Sequence, residues 1–317
     1  MPALPDSAPR PFRIQRSELA VPATSQHLFE KAARAAADSV FLDLEDSVAP
    51  DQKNDARRNA IAALNDIPWG TTTMAVRINA LDTQWAHRDI VEIVGQCPRL
   101  DLIMLPRAGA PFDVQFVDQL LLGLEKEHRR EKRIGIETIV ETARGLANVE
   151  QIAASCTRLE AIIFGIGDYS MDMHAYDAVI GTSPIERDRW QYARARIANA
   201  CRAFGLRPID GPFTKYSDLA GLRASAEYVA ALGFEGKWAI HPAQVAICNE
   251  VFSPTPSQLE WAERTLRLMS DATAQGKGAV GHHGSIVDMA HVRLAQAILQ
   301  RASAFNSIPG EARKDDS

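Results

Sequence analysis

Acidic side chains follow several short apolar runs of this 317-residue chain. Asp43, Glu45 and Asp46 end the run VFLDLED, Glu141 ends IVE, and Asp168 ends FGIGD. Carboxylates that converge on one concave site repel each other unless a cation neutralises them. Oxygen ligands without a cluster of His or Cys select Mg²⁺, Mn²⁺ or Ca²⁺ over zinc or copper. The pattern predicts a divalent-metal site, with Glu141 and Asp168 as the best pair of ligands.

An arginine in a similar position adds positive charge to this set. Arg77 follows the apolar run MAV, where its planar guanidinium would face a carboxylate or a carbonyl. A buried ion pair with Glu45 or Asp46 is the alternative, and the two interpretations are compatible. Alternate strand residues face opposite sides, so Asp43 and Glu45 are expected on one face and Asp46 is as suited to cap the following turn. Glu45 is a candidate catalytic carboxylate, and Asp46 a candidate substrate-binding residue.

Other polar residues also end or follow apolar runs. They are Asn79, Arg107, Glu137, Asp210, Lys237 and His241. The histidine precedes a proline in AIHP and is as typical of a structural position as of a catalytic one. No Ser, His and Asp constellation stands out, and no cysteine lies in the setting of a nucleophile.

The elements that would position these residues form a regular alternation. Eight apolar or β-branched runs alternate with helical patterns between about residues 17 and 252, as expected for parallel βα units. The predicted strands are 18–23, 40–46, 73–80, 100–108, 134–142, 161–170, 207–213 and 236–242. This is the size of an α/β (β/α)8 TIM barrel, whose active site lies at the carboxyl ends of the strands. A doubly wound open sheet is less favoured because no GxGxxG follows the first strand.

Two further helical patterns are surplus to a barrel and are joined by the glycine-containing segment QGKGAVGHHGS, which we expect to be a flexible linker. The predicted organisation has four parts. They are a disordered arm (1–15), the barrel (16–254), a helical arm that contacts an adjacent subunit (255–304) and a flexible tail (305–317).

Composition excludes several classes of function. The 35 basic and 40 acidic residues give a net charge of −5 without a long basic block, so neither nucleic acid nor a membrane is an expected partner. The four cysteines contain no CxxC pair, which favours a reducing, cytoplasmic compartment. The first 15 residues carry four prolines and no apolar segment typical of a signal peptide. No apolar run approaches the roughly 20 residues that span a bilayer.

At the level of motifs the chain resembles the HpcH/HpaI aldolase and citrate lyase β-subunit superfamily, and within it the malyl-CoA lyase branch. The matching segments follow one another along almost the whole chain. They are RSELAVP, VFLDLEDSVAPDQK, VRINALDT, IMLPRAG, IVETARGLANVEQIA, FGIGDYS, RPIDGPF, GFEGKWAIHPAQV, NEVFSP and IVDMAHVRLA.

This resemblance implies a set of roles. Glu141 and Asp168 would hold Mg²⁺, with Mn²⁺ as an alternative, and Arg77 would contact the reacting oxygen of the substrate. Asp288, in IVDMA, would act as acid and base on the acetyl-CoA carbon, delivered from an adjacent subunit of a homo-oligomer, a trimer or hexamer. Lys31 matches a family lysine and is a candidate for binding coenzyme A (CoA).

The implied activity is a reversible, Claisen-type cleavage of a malyl-CoA-like 3-carboxy-3-hydroxyacyl-CoA into an acyl-CoA and a 2-oxo acid such as glyoxylate. A thioesterase of the same fold and a non-catalytic acyl-binding subunit are the alternatives. The chain departs from the family at Ala23 and Ser25, where PATS replaces PGSR or PGSN. Arg107, a candidate substrate-binding residue, replaces a common lysine. The segment after Asp168 is also shorter than in typical malyl-CoA lyases.

Overall fold

A closed barrel of eight parallel strands forms the larger part of the computed structural model, described here for residues 10–175, 189–282 and 284–306. The strands are β1 Ser17–Pro22, β2 Ser39–Asp43, β3 Thr73–Arg77, β4 Leu102–Leu105, β5 Gly135–Val140, β6 Leu159–Phe164, β7 Arg207–Asp210 and β8 Gly236–Ala239. Each strand pairs with its neighbours in chain order, and β1 pairs with β8 to close the barrel. The predicted TIM barrel is confirmed.

Helices follow the strands in the order that the alternation predicted. Those of the barrel are α1 Phe29–Ala33, α2 Lys53–Asp66, α3 Ala86–Gln96, α4 Pro111–Glu127, α5 Ala143–Ala147, α6 Val149–Ala153, α7 Ile166–Asp172, α8 Gln191–Phe204, α9 Leu219–Ala231 and α10 Pro242–Val251. Helix α2 shows why they form, because its small apolar residues Ala56, Ala60 and Ala63 recur at helical spacing and are all buried. Within the described residues, no helix is both long and apolar enough to cross a membrane.

The apolar core has two layers, separated by the sheet. Val40 and Leu42 of β2 belong to the larger cluster, which lies between strands and helices. Phe41, between them, belongs to a second cluster that also contains Met104, Ile139 and Trp238. Because successive strand residues face opposite sides, this second cluster fills the barrel interior. The interior is therefore packed, and the polar groups at its two ends are separated by an apolar plug.

Strand β2 ends at Asp43, three residues earlier than predicted. The Asp43 carboxylate accepts the backbone N–H of Glu45 at 2.9 Å and of Ser47 at 3.2 Å. These bonds turn the chain out of the sheet, as aspartates commonly do at turns. Glu45 and Asp46 thus leave the strand, and the alternation expected for them does not apply.

Residues from Ser253 onward form a second compact unit. It contains α11 Pro256–Ala274, the antiparallel strands β9 Ala279–His282 and β10 Ser285–Asp288, and α12 Met289–Asn306. The prediction of a flexible linker here was wrong, because the segment pairs as a β-hairpin that turns at Gly284 with a φ of +79°. Contact of this unit with an adjacent subunit stays a prediction.

The described residues include 10–15, which the sequence assigned to a disordered arm, and some of their side chains are hydrogen-bonded to the barrel. Arg13 donates to Glu160 at 3.0 Å, and the buried Gln15 donates to Glu137 at 2.6 Å. Residues 1–9, most of the predicted tail and the middle of the segment predicted to be short after Asp168, residues 176–188, lie outside the described residues.

Candidate active site at the mouth of the barrel

Arg77, the last residue of β3, is the centre of the site. Its Nε and Nη2 atoms each donate to one oxygen of Asp43, both at 2.7 Å, in a bidentate pair. Its Nη1 atom lies 3.1 Å from Glu45 Oε2 and 3.2 Å from Asp46 Oδ2. All three acidic residues of VFLDLED therefore meet one guanidinium, whereas the sequence suggested that they could not all face one site. The early end of β2 is the reason.

Packing and charge fix this guanidinium in place. Its Cζ atom lies 5.9 Å from the ring centroid of Phe41 and 5.6 Å from that of Trp238, so the guanidinium packs against two aromatic rings of the barrel interior. Burial opposes the charge of both partners, but their attraction outweighs it, so the pKa of Asp43 is lowered and that of Arg77 is raised. Arg77 is thus a permanently charged group that is 7% exposed at the base of the mouth.

Lys53, which the sequence analysis did not single out, stabilises the turn after β2 that carries Glu45 and Asp46, referred to below as the acidic turn. Its buried ammonium donates to the carbonyl oxygens of Leu44 at 2.9 Å and Glu45 at 2.7 Å. The only signal for it was its place in the family segment VFLDLEDSVAPDQK. The lysine satisfies two carbonyl groups that have no partner in the sheet once β2 has ended. It thereby positions the backbone of Glu45 without contacting the Glu45 carboxylate.

Glu141 and Asp168, the predicted metal ligands, follow the neighbouring strands β5 and β6, although β6 ends at Phe164 and not at residue 170, beyond Asp168, as predicted. Glu141 directly follows β5 and is 3% exposed, whereas Asp168 lies in the first turn of α7 with a side chain that is 38% exposed. A Cβ atom on Gly165 would lie 2.6 Å from Glu141 Oε2, so the glycine of FGIGD makes room for this carboxylate. The two carboxylates also contact one another.

Arg107 lies between these carboxylates and the acidic turn. It adopts a left-handed φ of +53°, which costs a non-glycine residue roughly 1 kcal/mol. This conformation aims its backbone N–H at Glu141 Oε1, at 2.7 Å. Its guanidinium lies 3.7 Å from Glu45 Oε1 and 3.5 Å from Asp168 Oδ1, and it is half-exposed. Arg107 therefore links the Glu141 and Asp168 pair, through its backbone N–H and its guanidinium, to Glu45 of the acidic turn.

The carboxylates carry too much negative charge for the cations around them. Burial, followed by repulsion from Glu45 and Asp168, raises the pKa of Glu141 to about 8. Burial and the nearby Asp46 and Asp43 raise the pKa of Glu45 to about 7, against the opposing effect of Arg77. Burial and Asp46 also raise the pKa of Asp168. Both arginines together do not offset this repulsion.

The residues present fit a bound Mg²⁺ ion. Mg²⁺ typically uses one or two protein carboxylates and completes its shell with water and substrate oxygens. Glu141 and Asp168 supply such a pair, and the nearby Glu45 Oε2 atom, which is buried and lies 3.1 Å from Arg77 Nη1, makes no hydrogen bond of good geometry within the described residues. Among the described residues, no group of three or more His, Cys, Asp or Glu side chains forms a complete metal site. The arrangement suits a metal shared with a substrate rather than one enclosed by protein.

Several other strand-end residues are engaged elsewhere. Asn79 donates to Asp89 at 2.7 Å, and His241 Nδ1 accepts the N–H of Ala243, so that this histidine caps α10. The structural interpretation of His241 therefore holds.

Three more of the strand-end candidates lie in buried ion pairs or at the other end of the barrel. Asp210 is buried between Arg194, at 2.9 Å, and Lys237. Glu137 lies near the start of β5 and bonds Gln15, so it belongs to the opposite end of the barrel from the mouth.

Two further predicted site residues, Lys31 and Asp288, have no described contact with the Arg77 cluster. Lys31 is exposed on α1 and makes no ion pair with the described residues. Asp288 is the last residue of β10, in the second unit. No described contact joins either residue to the mouth, so their predicted roles are taken up below as proposals.

Comparison with known proteins agrees with this geometry. The family model described as HpcH/HpaI aldolase/citrate lyase matches residues 16–242. An L-malyl-CoA/beta-methylmalyl-CoA lyase of Rhodobacter capsulatus is 44% identical over 93% of this chain and 96% of its own. A (3S)-malyl-CoA thioesterase of Cereibacter sphaeroides is 34% identical over 92% of this chain and 95% of its own.

Among solved structures, the CitE protein of Mycobacterium tuberculosis, in complex with magnesium, acetoacetate and coenzyme A, superposes with a TM-score of 0.73. It is 30% identical, and the match covers 92% of this chain and 98% of that protein. Because the family model covers residues 16–242 and these relatives match over most of both chains, the chain belongs to the HpcH/HpaI aldolase/citrate lyase family.

Proposed function

We propose that this protein is a Mg²⁺-dependent CoA-ester lyase that reversibly cleaves a malyl-CoA-like thioester into an acyl-CoA and a 2-oxo acid such as glyoxylate. The main support is the 44% identity to a malyl-CoA lyase over nearly the full length of both chains. The mouth adds a chemical reason, because it combines a permanent cation with a pair of oxygen ligands for a metal ion, and the cation and the bound metal would both stabilise an oxyanion.

Glu141 and Asp168 would hold the magnesium ion. When bound, the metal supplies Lewis-acid polarisation of the reacting oxygen and an anchor for the 2-hydroxy acid group. The protein's part is to fix the two carboxylates, which it does through the Arg107 N–H at 2.7 Å and the space beside Gly165. The buried Glu141 would define the position of the metal, and the more exposed Asp168 would face the solvent and the incoming acid.

Arg77 would place positive charge where the oxyanion develops. Asp43 fixes its orientation through two bonds of 2.7 Å, so the guanidinium is already oriented before a substrate arrives. We assign Glu45 as a second catalytic carboxylate. With a pKa of about 7 it can accept or release a proton near neutrality beside Arg77.

Exposed cationic and acidic residues would bind the rest of the substrate. Lys31, which makes no ion pair with the described residues, is suited to a phosphate of CoA, and the half-exposed Arg107 at the mouth is suited to a substrate carboxylate. Asp46, with a side chain 52% exposed, would orient polar groups at the rim through its contact with Arg77.

Asp288 would be the acid and base at the carbon next to the thioester. In cleavage it protonates the acyl-CoA enolate, and in condensation it removes that proton. We propose that it comes from an adjacent subunit of a homo-oligomer, a trimer or hexamer, because it lies in a unit separate from the barrel and the family resemblance assigns it to a neighbour.

A shared site predicts that two inactive variants complement each other. Glu141→Ala damages the barrel and Asp288→Asn the arm. Co-expressed with different tags and purified as mixed oligomers, they should recover about a third of the parental activity if the oligomer is a trimer, because each mixed trimer has one site with an intact barrel and an intact neighbouring arm, and about a quarter if it is a hexamer. Mixed oligomers as inactive as either pure variant would contradict delivery of Asp288 by a neighbour.

Product analysis tests the reaction itself. Malyl-CoA incubated with the protein and Mg²⁺ should give acetyl-CoA and glyoxylate in equal amounts, and EDTA should abolish both. Malate and free CoA would instead establish the thioesterase, which the 34% identical malyl-CoA thioesterase keeps as the second candidate. Binding without either set of products would indicate an acyl-binding subunit.

The compartment is also a proposal. All four cysteines are unpaired and three are buried, which fits a reducing compartment such as the cytoplasm.

A further inference from the structure

The carboxylate of Asp288 is held by the start of helix α12. Asp288 is the last residue of β10, and the 18-residue helix begins at the next position. Its Oδ1 atom accepts the backbone N–H of Ala290 at 2.9 Å and that of His291 at 3.4 Å. Side-chain capping of this kind satisfies N–H groups that a helix cannot pair internally. The turn from hairpin to helix therefore fixes the position of this side chain.

His291 adds a third group to the same oxygen atom. Its Nδ1 atom lies 2.8 Å from Asp288 Oδ1 and 3.2 Å from the Asp288 backbone nitrogen. When Nδ1 carries a proton it can donate to the carboxylate, and when it does not it can accept the backbone N–H. The imidazole thus keeps a partner on Asp288 in either protonation state. This arrangement lets one side chain stay in place throughout a cycle of proton transfer.

The second carboxylate oxygen is different. In the described part of the chain, Oδ2 has no hydrogen-bond partner, and the side chain of Asp288 is 49% exposed. No charged group other than His291 lies within ion-pair distance of Asp288 in that part. The aromatic neighbour is Trp261 of α11, whose ring centroid lies 6.4 Å from that of His291. One oxygen is anchored by three nitrogens, and the other is free to meet a ligand.

We propose that His291 is a positioning residue, which anchors Asp288 through Oδ1 and so presents Oδ2 to the carbon next to the thioester. This inference rests on the proposed role of Asp288 and adds a second residue to that role. Electrostatics support the geometry, because the hydrogen bond from His291, followed by that from Ala290, lowers the pKa of Asp288. The lowered pKa favours the ionised carboxylate, which is the form that removes the proton in the condensation direction.

Two substitutions separate positioning from simple packing. His291→Phe keeps a ring but removes both nitrogens, whereas His291→Asn keeps an N–H group close to the position of Nδ1. His291→Phe should lower kcat by about 10- to 100-fold with KM changed less than about twofold, because substrate binding does not use Oδ1. His291→Asn should recover most of kcat. Exchange of deuterium from solvent into the methyl group of acetyl-CoA should follow the same order.

Several outcomes would overturn the proposal. The first is a His291→Phe protein that is folded by circular dichroism and has the parental kcat and exchange rate. The second is a His291→Asn protein that is as slow as His291→Phe. The third is a change in KM in His291→Phe that is as large as its change in kcat. A reaction-independent measurement separates this from failure of the lyase assignment. A ¹³C titration of the Asp288 carboxyl should show its pKa rising toward the ordinary range in His291→Phe. If that rise occurs but the parent makes no acetyl-CoA, the anchor stands and the proposed reaction fails; no rise removes the anchor.

Discussion

Both ends of the barrel carry buried carboxylates and arginines, but they balance their charge in different ways. At the mouth, Asp43 is paired with Arg77, whereas Glu141 and Asp168 are left with excess negative charge. At the opposite end of the barrel, which we call the floor, Glu18 of β1 and Glu137 of β5 are both fully buried. The apolar plug of Phe41, Trp238 and their neighbours lies between the two ends.

The floor is closed by hydrogen bonds within the protein. Gln15 Nε2 donates to Glu18 at 3.0 Å and to Glu137 at 2.6 Å, and Trp238 Nε1 donates to Glu18 at 2.7 Å. Arg207 lies 3.7 Å from Glu137. Burial, followed by the neighbouring carboxylate, raises the pKa of Glu18 well above its ordinary value, and burial raises that of Glu137. We therefore expect the pair to share a proton.

The difference lies in access. A sealed carboxylate pair lowers its charge by retaining a proton, because neither a metal ion nor a substrate from solution can reach it. The mouth is open, its Asp168 and Arg107 side chains being partly exposed, so a metal ion and a substrate can supply the missing positive charge. The same residue types thus stabilise the fold at one end and suit catalysis at the other.

The largest expected effect is a loss of turnover on substitution of Glu141 at the mouth, compared with Glu137 at the floor, four residues earlier in the chain. Glu141→Gln should lower turnover of malyl-CoA by about 1000-fold or more, because it removes the buried metal ligand. The free energy of unfolding should stay the same or rise, since a carboxylate with a pKa of about 8 is lost. Steady-state kinetics across a Mg²⁺ titration and a urea unfolding curve measure both quantities.

Glu137→Gln is the matched control, with the same chemistry four residues earlier. It should keep turnover within a few-fold of the parent, since it faces the floor. Equal losses of turnover in the two variants would mean that the ends of the barrel are not functionally distinct.

Arg77→Lys should have the second largest effect. Lysine keeps the positive charge but cannot make the bidentate pair with Asp43. We expect kcat to fall by about 100- to 1000-fold, the range found when one oxyanion-stabilising donor is lost. The same change at the floor, Arg207→Lys, should alter stability without altering kcat. A parental kcat in Arg77→Lys would show that charge alone, without a fixed geometry, is enough at the mouth.

The floor should respond to pH in a direction set by its shared proton. Folded protein retains a proton on Glu18 at pH values where the unfolded chain has lost it, so stability falls as pH rises above the ordinary glutamate pKa of 4.5. The slope for one proton is at most about 1.4 kcal/mol per pH unit. Glu18→Gln should flatten this slope and raise stability at pH 8, with kcat unchanged. Urea unfolding at several pH values would detect it, and an unchanged slope would contradict the shared proton.

The sequence was sufficient for the architecture and for most of the mouth. Eight apolar runs predicted eight strands, and strand-end logic alone identified Glu141 and Asp168 as neighbours. Strand ends were less predictable, because the Asp43 turn that terminates β2 depends on bonds between side chain and backbone. The strand alternation expected for Asp43, Glu45 and Asp46 failed for that reason, whereas the ion pair of Arg77 with Glu45 or Asp46, also considered from the sequence, is present.

Long-range pairings were beyond the reach of the sequence. Glu137 was grouped with the mouth because it lies in an apolar run, but its partners Gln15 and Arg207 are far from it along the chain. The hairpin before Asp288 was missed since AVGHHGSIV contains glycines typical of a linker as well as of a tight turn. Asp288 itself was singled out only through family resemblance, because the role proposed for it involves a neighbouring subunit, which periodicity cannot reveal.

The smallest expected effect concerns the rim of the mouth. Asp46 contacts the same guanidinium as Asp43, at 3.2 Å, but its side chain is 52% exposed whereas that of Asp43 is 4% exposed. Solvent screens an exposed pair, so Asp46→Asn should change the free energy of unfolding by less than about 1 kcal/mol. Since Arg77 keeps its bidentate partner, we expect kcat within about threefold of the parent and a larger change in KM for the CoA thioester. Asp43→Asn should instead lower kcat strongly, because it removes the charge that orients Arg77. If Asp46→Asn lowered kcat as much as Asp43→Asn, Asp46 would belong to the catalytic machinery, and exposure would not separate the binding residues of the mouth from its catalytic ones.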